Sequence, residues 1–306
     1  MSKEKLQSQA VQTTGHAWDG DLQEYNNPLP RWWVWAFYMT IVFAIVYWVL
    51  YPAWPLGTGY TTGVSKVTYV NDKGETKTTH WNTRADLMAE MNAAAAAQKP
   101  YFDKIVALPF EQIAKDPEAN NFVVSAGKQL FADNCAACHQ SGGQGVVGLF
   151  PNLTDDDWLY GGSFEKIQET LNHGRRGYMP TFGEVLSGEQ IEQLANYVLS
   201  LSGEKTDSAK AASGKALFHS MDAACFYCHG DNGRGRQEVG APNLTDKIWL
   251  WANVPGADTP EKKLEAVKGV ITTGLNKGVM PAWKERLKPE QIKLLTVYVH
   301  ELGGGK

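Results

Sequence analysis

The pattern of apolar and polar positions divides the chain into three regimes. Residues 32–54 carry no charge, and the apolar run over 32–51 is 20 residues long. As a helix it would be about 30 Å long, the thickness of a bilayer's hydrocarbon core. Trp32, Trp33 and Trp35 mark one end and Trp48, Tyr51 and Trp54 the other, where amphipathic rings sit at the two membrane interfaces. The run is longer and starts later than the apolar part of a secretion signal, and no small-residue cleavage site follows it. One transmembrane helix over 32–54 is expected, with membrane lipid around it. Residues 1–31 are polar and mixed in charge, a loose or partner-packed segment.

The second regime, 55–122, carries no cofactor motif. Alternation at 67–70 and 77–80 around NDKG predicts a strand pair, with His80 as an exposed strand residue. TRAD (83–86) predicts a cap for a helix through the alanine tract at 93–97, stopped by Pro100.

Helical spacing returns in the third regime, and it returns twice. SGEQ (187–190) is a capping box, and Ile191, Leu194, Tyr197, Val198 and Leu201 follow on one helical face. Ile292, Leu295, Tyr298, Val299 and Leu302 repeat those intervals, with Pro289 near the helix start. PNLTDDDWL (151–159) recurs as PNLTDKIWL (242–250), and Met179-Pro180 as Met280-Pro281. The second copy carries about ten extra residues between Trp249 and Met280, around NVPGAD (253–258). Gly127/Phe131 and Gly214/Phe218 match as well. The fold class is therefore mainly α: a single N-terminal transmembrane helix followed by two tandem domains at 123–203 and 208–306.

Composition narrows the classes. A length of 306 residues allows about two domains. With 43% hydrophobic and 20% charged residues, wholesale disorder is excluded. The net charge of −4 argues against a nucleic-acid binder. Charge is uneven: residues 126–203 hold four Lys/Arg against nine Asp/Glu, and 204–306 hold fifteen against twelve. An acidic first domain would steer a basic donor protein.

All four cysteines fall in two C-x-x-C-H stretches, Cys135-Ala-Ala-Cys138-His139 and Cys225-Phe-Tyr-Cys228-His229. Two thiols on one turn can reach the two vinyl groups of one porphyrin, and the next histidine then meets the iron on that face. Two covalently bound heme c groups are expected. A redox dithiol is the bland reading of one such pair. A zinc site of four thiolates would have to close the gap between Cys138 and Cys225, far beyond ribbon spacing of about 15–20 residues. Each copy also offers a methionine, a soft ligand suited to low-spin heme iron. Chain order pairs His139 with Met179 on iron 1, and His229 with Met280 on iron 2. His173 is a competing ligand without a counterpart in the second copy. His219 and His300 are expected on solvated helix faces.

The paired motifs resemble the cytochrome c fold, in which the first and last helices cross at a Gly/aromatic contact. The order of one short membrane helix, YPAWPLG (51–57) and two monoheme domains resembles the diheme CcoP subunit of cbb3-type cytochrome c oxidases over nearly the whole chain. The resemblance implies a bacterial inner-membrane complex that reduces oxygen to water and pumps protons. It implies periplasmic heme domains and a cytoplasmic N-terminus. The partners implied are a soluble donor cytochrome c, a monoheme cytochrome c subunit and a heme–copper catalytic subunit. Iron held on both faces has no open coordination position, so the chain by itself is expected to be no enzyme but an electron relay. The competing readings are a free-standing membrane-anchored diheme carrier, a diheme peroxidase and a zinc scaffold.

Overall fold

The computed structural model describes residues 12–276 and 278–303. The chain forms two compact units, one up to Ala97 and one from Gln98 onward. The segment expected to be loose or packed against a partner lies outside the described residues up to Val11; beyond it the chain is paired rather than loose. β1 (Thr13–Trp18) and β2 (Leu22–Tyr25) form an antiparallel hairpin. It turns through Asp19 and Gly20, both at positive φ (52° and 94°). The Asp-Gly dipeptide is its sequence signal, since few other residues tolerate that conformation.

α1 (Arg31–Leu50) enters from Pro30 and ends at Tyr51, ahead of Pro52. None of its residues is buried, and by length and composition it suits a membrane crossing. A helix apolar on every face needs an apolar surrounding on every face. β3 (Pro55–Leu56) and β4 (Gly59–Tyr60) follow as a short hairpin. β5 (Lys66–Val70) and β6 (Thr76–His80) then pair in the register Lys66↔His80 to Val70↔Thr76. His80 is exposed, and its Nδ1 lies 3.0 Å from the Gly63 carbonyl oxygen.

α2 spans Thr83–Ala107 and is not stopped by Pro100. Its cap is Asn82, whose Oδ1 accepts from the Ala85 N–H, so TRAD forms the first turn instead. An interior proline costs about 3 kcal/mol. The alanine run ahead of it has the highest helix propensity, and beyond it Ile105 is fully buried and Phe102 packs beside it. That burial offsets the proline.

The second unit is helical. α3 (Phe110–Lys115), α4 (Pro117–Asn134), α5 (Ala136–His139), α6 (Phe164–His173) and α7 (Gly188–Leu201) carry the first sequence copy. α8 (Ser208–Phe218), α9 (Phe226–His229), α10 (Pro260–Thr273) and α11 (Pro289–His300) carry the second. Asp116, Ser163, Ser187, Asp207 and Thr259 cap their helices by accepting backbone N–H groups. The capping box at Ser187 and Gln190 is complete.

The two copies do not close on themselves. α4 packs on α11 and α7 packs on α8; α11 also packs on α6, and α10 on α7. The expected Gly/aromatic crossings therefore exist, but between copies: Gly127 faces Tyr298, and Gly214 faces Gln193 and Tyr197. The connector explains this. Only residues 202–207 join α7 to α8, and helices joined by so short a link become neighbours. The link is held at both ends: Asn196 Oδ1 accepts from the Asp207 N–H at 3.1 Å, and Glu204 pairs with Lys263 at 2.7 Å. Once α8 occupies that face of α7, α4 is left for α11.

Two short crossings complete the exchange. β7 (Arg175–Arg176) pairs with β8 (Val279–Met280), and Met179 pairs with Leu275 through two backbone hydrogen bonds of 2.8 Å. Residues 179–275 thus form one compartment, and residues 117–178 with 276–303 form the other. The ten-residue insertion is packed: Val254 is buried among residues of α7 and α10. His300 is not on a solvated face but stacks on Phe164 with centroids 3.9 Å apart. His219 is exposed, with both ring nitrogens facing carbonyl oxygens, of Lys215 and Asp231. Only the imidazolium donates to both, and those two bonds raise its pKa.

Candidate cofactor sites

Each C-x-x-C-H stretch is a single helical turn. Cys135 closes α4, and α5 carries Cys138 and His139; Cys225 leads into α9, which carries Cys228 and His229. Cys135 is buried and Cys225 half-buried, while Cys138 and Cys228 are exposed. Burial pushes the Cys135 and Cys225 thiols up to about 11. A redox dithiol needs its thiol lowered instead. Among the described residues no cluster of three or more His, Cys, Asp or Glu could hold a metal ion, so the four thiols do not converge on a zinc site.

Both histidines are set in one way. His139 Nδ1 lies 3.1 Å from the Pro151 carbonyl oxygen, and His229 Nδ1 lies 3.1 Å from that of Pro242. Donation from Nδ1 fixes the tautomer and leaves the Nε2 lone pair for a metal. Burial lowers the pKa of both rings, which favours that neutral form. The repeated PNLT segments supply the acceptor carbonyls. Gly145 makes the close approach feasible: it has φ 63°, and a Cβ there would lie 2.5 Å from the Phe150 and Pro151 carbonyl oxygens. Gly235 has the same role in the second copy, against Ala241 and Pro242.

The methionines depart from the pairing expected by chain order. Cys135, Cys138 and His139 line a cavity of about 330 Å³ together with Met280, Pro281 and Trp283. Met280 packs with Phe131, Cys135 and Trp158. Met179 packs instead against the cluster that contains Phe218, which Cys225, Leu244 and Trp249 also border. Of the pairings expected by chain order, the structure brings Met280 rather than Met179 into the cavity of His139, and sets Met179 against the core cluster that Cys225 also borders. The cause is the helix exchange: each methionine follows its strand across into the opposite compartment. His173 is exposed at the end of α6 and does not line this cavity.

The first cavity is walled mostly by apolar side chains, and Leu250 and Trp251 of the second copy contribute to it. One donor in it is orphaned: Trp158 Nε1 is buried and meets no hydrogen-bond partner. Arg175, Tyr160 and Thr170 line the same wall. A thioether-forming turn, a histidine with free Nε2, a facing methionine and an unpaired donor fit a flat porphyrin with acidic side arms. Sequence reasoning missed Arg175 and Tyr160. The recurrence of Trp158 as Trp249 was their nearest signal.

A C-x-x-C-H turn facing a methionine across an apolar cavity is the arrangement of a c-type cytochrome, here behind one long apolar helix. Comparison with known families places it further. Residues 10–58 match the N-terminal domain of cytochrome oxidase-cbb3, FixP, and residues 123–198 and 209–299 match cytochrome C oxidase, cbb3-type, subunit III. The chain is 46% identical to the cbb3-type cytochrome c oxidase subunit FixP of Azorhizobium caulinodans, over 96% of this chain and 94% of that protein. It is 46% identical to FixP of Bradyrhizobium diazoefficiens (96% and 95%) and 42% identical to CcoP of Cereibacter sphaeroides (96% and 95%). The chain belongs to the FixP/CcoP family of cbb3-type cytochrome c oxidase subunits, cytochrome c proteins of electron transport.

Proposed function

We propose that this chain is the membrane-anchored relay of a cbb3-type oxidase. It carries two covalent hemes c and passes single electrons from a soluble donor cytochrome toward the monoheme and heme–copper subunits. α1 sits in the bacterial inner membrane, and both compartments lie on the periplasmic side. Cys135 and Cys138 hold the first heme by thioether bonds, with His139 and Met280 as axial ligands. Cys225 and Cys228 hold the second, with His229 and Met179. Heme iron supplies the one-electron redox step when bound. With His and Met both holding each iron, the bound hemes would have no open position for oxygen, so oxygen chemistry would belong to another subunit.

The observation that carries this reading is the meeting of Cys135, Cys138, His139 and Met280 in one cavity. The test is affinity capture of the full chain from mildly solubilised membranes, with spectra and oxygen uptake on the eluate. Co-elution of heme b with donor-driven oxygen uptake supports the relay reading. Heme c alone, without uptake in several detergents, makes the chain a free-standing carrier. The exchanged ligation has its own test. In Met280→Ala, the heme held by the Cys135 peptide turns high-spin and the other stays low-spin; the reverse outcome restores the pairing by chain order.

A further inference from the structure

The β1–β2 hairpin takes part in none of the chemistry above. Every residue from 12 to 33 is exposed. Trp18 stands opposite Leu22 in the ladder, at the pair that closes the turn, so both side chains share one face. Glu24 lies two residues beyond Leu22 and shares that face. Asp19 and Asp21 lie in the turn itself. Trp18 is 48% exposed and Leu22 65%. A two-stranded hairpin standing alone is marginally stable in water, and this one leaves its largest apolar pair uncovered.

Placement and charge say what kind of surface can cover it. Only residues 26–30 join β2 to α1, and two of them are Pro28 and Pro30. Fully extended, that link reaches on the order of 20 Å, so the hairpin stays close to the end of α1 and to the membrane surface. The match to the N-terminal domain of cytochrome oxidase-cbb3, FixP, starts at residue 10, so hairpin and apolar helix are shared as one piece. Residues 6–30 hold Asp19, Asp21 and Glu24 and no Lys or Arg. Among the described residues none of these carboxylates has an ion-pair partner. Three negative charges oppose contact with the anionic cytoplasmic leaflet, which attracts Lys and Arg instead. The cytoplasmic loops of membrane-embedded proteins carry an excess of Lys and Arg, and their charge complements that of the hairpin.

We propose that the hairpin docks on lysine-bearing cytoplasmic loops of the oxidase's membrane-embedded catalytic subunit, with Trp18 and Leu22 as its apolar anchor and Asp19, Asp21 and Glu24 as its charged rim. This rests on the relay reading above, which places residues 12–30 on the cytoplasmic side and the chain in one complex with that subunit. An aromatic anchor ringed by polar contacts is how a small interface concentrates its binding energy. Loss of the hairpin contact weakens assembly and leaves heme attachment, on the periplasmic side, intact.

The test is zero-length carbodiimide coupling of carboxylates to amines in inside-out inner-membrane vesicles, which present the cytoplasmic face. The full chain is then captured and its cross-linked peptides are identified by mass spectrometry; heme b in an uncoupled sample marks the partner. We expect Asp19, Asp21 and Glu24 joined to lysines of the heme b subunit. In Trp18→Ala the yield falls by about tenfold or more, the loss that follows truncation of an interface anchor. That substitution also weakens the hairpin, so Glu24→Arg is the second variant. It keeps the Trp18–Leu22 pair, and the yield at Asp19 and Asp21 falls several-fold, by less as salt rises. Tyr60→Ala, in the β3–β4 hairpin beyond the other end of α1, leaves the yield unchanged. Coupling to lipid amines in place of protein assigns the hairpin to the bilayer surface and overturns the proposal, as does a yield that neither variant lowers. Heme b without any hairpin cross-link overturns the docking alone. A wild-type capture without heme b overturns the relay reading, and the docking with it.

Discussion

The helix exchange puts unequal demands on three glycines, and Gly214→Ala tests it most sharply. A Cβ at Gly214 would lie 2.0 Å from the Gln193 carbonyl oxygen, 2.5 Å from its carbon and 2.9 Å from Tyr197 Cβ. Ordinary contact begins near 3.4 Å, so α8 must retreat from α7 by about 1.4 Å. The obstacle is backbone, which no rotamer change relieves. Retreat unpacks Leu194, Tyr197 and Phe218, which share one core cluster. Overpacking a core usually costs about 1–3 kcal/mol, and loss of large side-chain packing about 2–5 kcal/mol. We expect about 3–5 kcal/mol for Gly214→Ala. At Gly127 the nearest atom is Tyr298 Cβ at 2.8 Å, also fixed to its backbone, so α4 must retreat by only about 0.6 Å to reach ordinary contact; about 1–3 kcal/mol is expected there. Gly269 in α10 meets nothing within 4 Å, and Gly269→Ala should add about 0.5–1 kcal/mol from helix propensity. The assay is urea unfolding of the full chain in mild detergent, read by circular dichroism. If Gly214→Ala unfolds within 1 kcal/mol of wild type, or Gly127→Ala costs more, the exchanged crossing is wrong.

Further outcomes follow from the same structure. Burial, then Asp246 and Asp155, push Asp157 up to about 7, well above its ordinary 3.8. Its contribution to stability is present below pH 4 and is lost as pH rises through 7. Asp157→Asn should therefore stabilise by about 1–2 kcal/mol at pH 8, after solvent screening, and leave pH 4 unchanged; equal gains at both pH values in urea unfolding would contradict this. Lys293 Nζ donates to the Val106 and Leu108 carbonyl oxygens at 2.9 and 2.6 Å, closing the end of α2. Lys293→Met should cost about 1–3 kcal/mol, the value of charge-assisted bonds, and lower the urea midpoint. Pro100 is exposed inside α2 and lacks an N–H donor. Pro100→Ala should raise helicity and stability by about 1–3 kcal/mol, checked by thermal unfolding.

The parts of the fold that were legible in the sequence rest on local chemistry. The apolar run, the NDKG strand pair, the Ser187 box and the C-x-x-C-H turns depend on neighbours within a few residues. The pairing of methionines does not. A repeat says that two copies build the same contacts, and it is silent on which copy supplies each partner. That choice was made by a six-residue connector, through loop closure rather than through any motif. The same blindness hid Arg175, which meets Met280 only across the exchange. Pro100 misled for a different reason: tertiary burial of Ile105 outweighed a local cost.

Exchange also redistributes charge. By chain order the first copy is acidic and the second basic. By compartment, residues 179–275 hold nine Lys/Arg and twelve Asp/Glu, while 117–178 and 276–303 together hold nine and ten. The contrast shrinks and its sign reverses, because the basic stretch from 284 to 293 folds into the first compartment. On the proposed function, a basic donor would then be steered toward the second compartment, not the first. Charge reversal on the exposed Glu184 or Glu238 should slow donor reduction and weaken its salt dependence, whereas reversal at Asp133 or Asp156 should leave both nearly unchanged. The opposite pattern would place the donor's docking face on the first compartment.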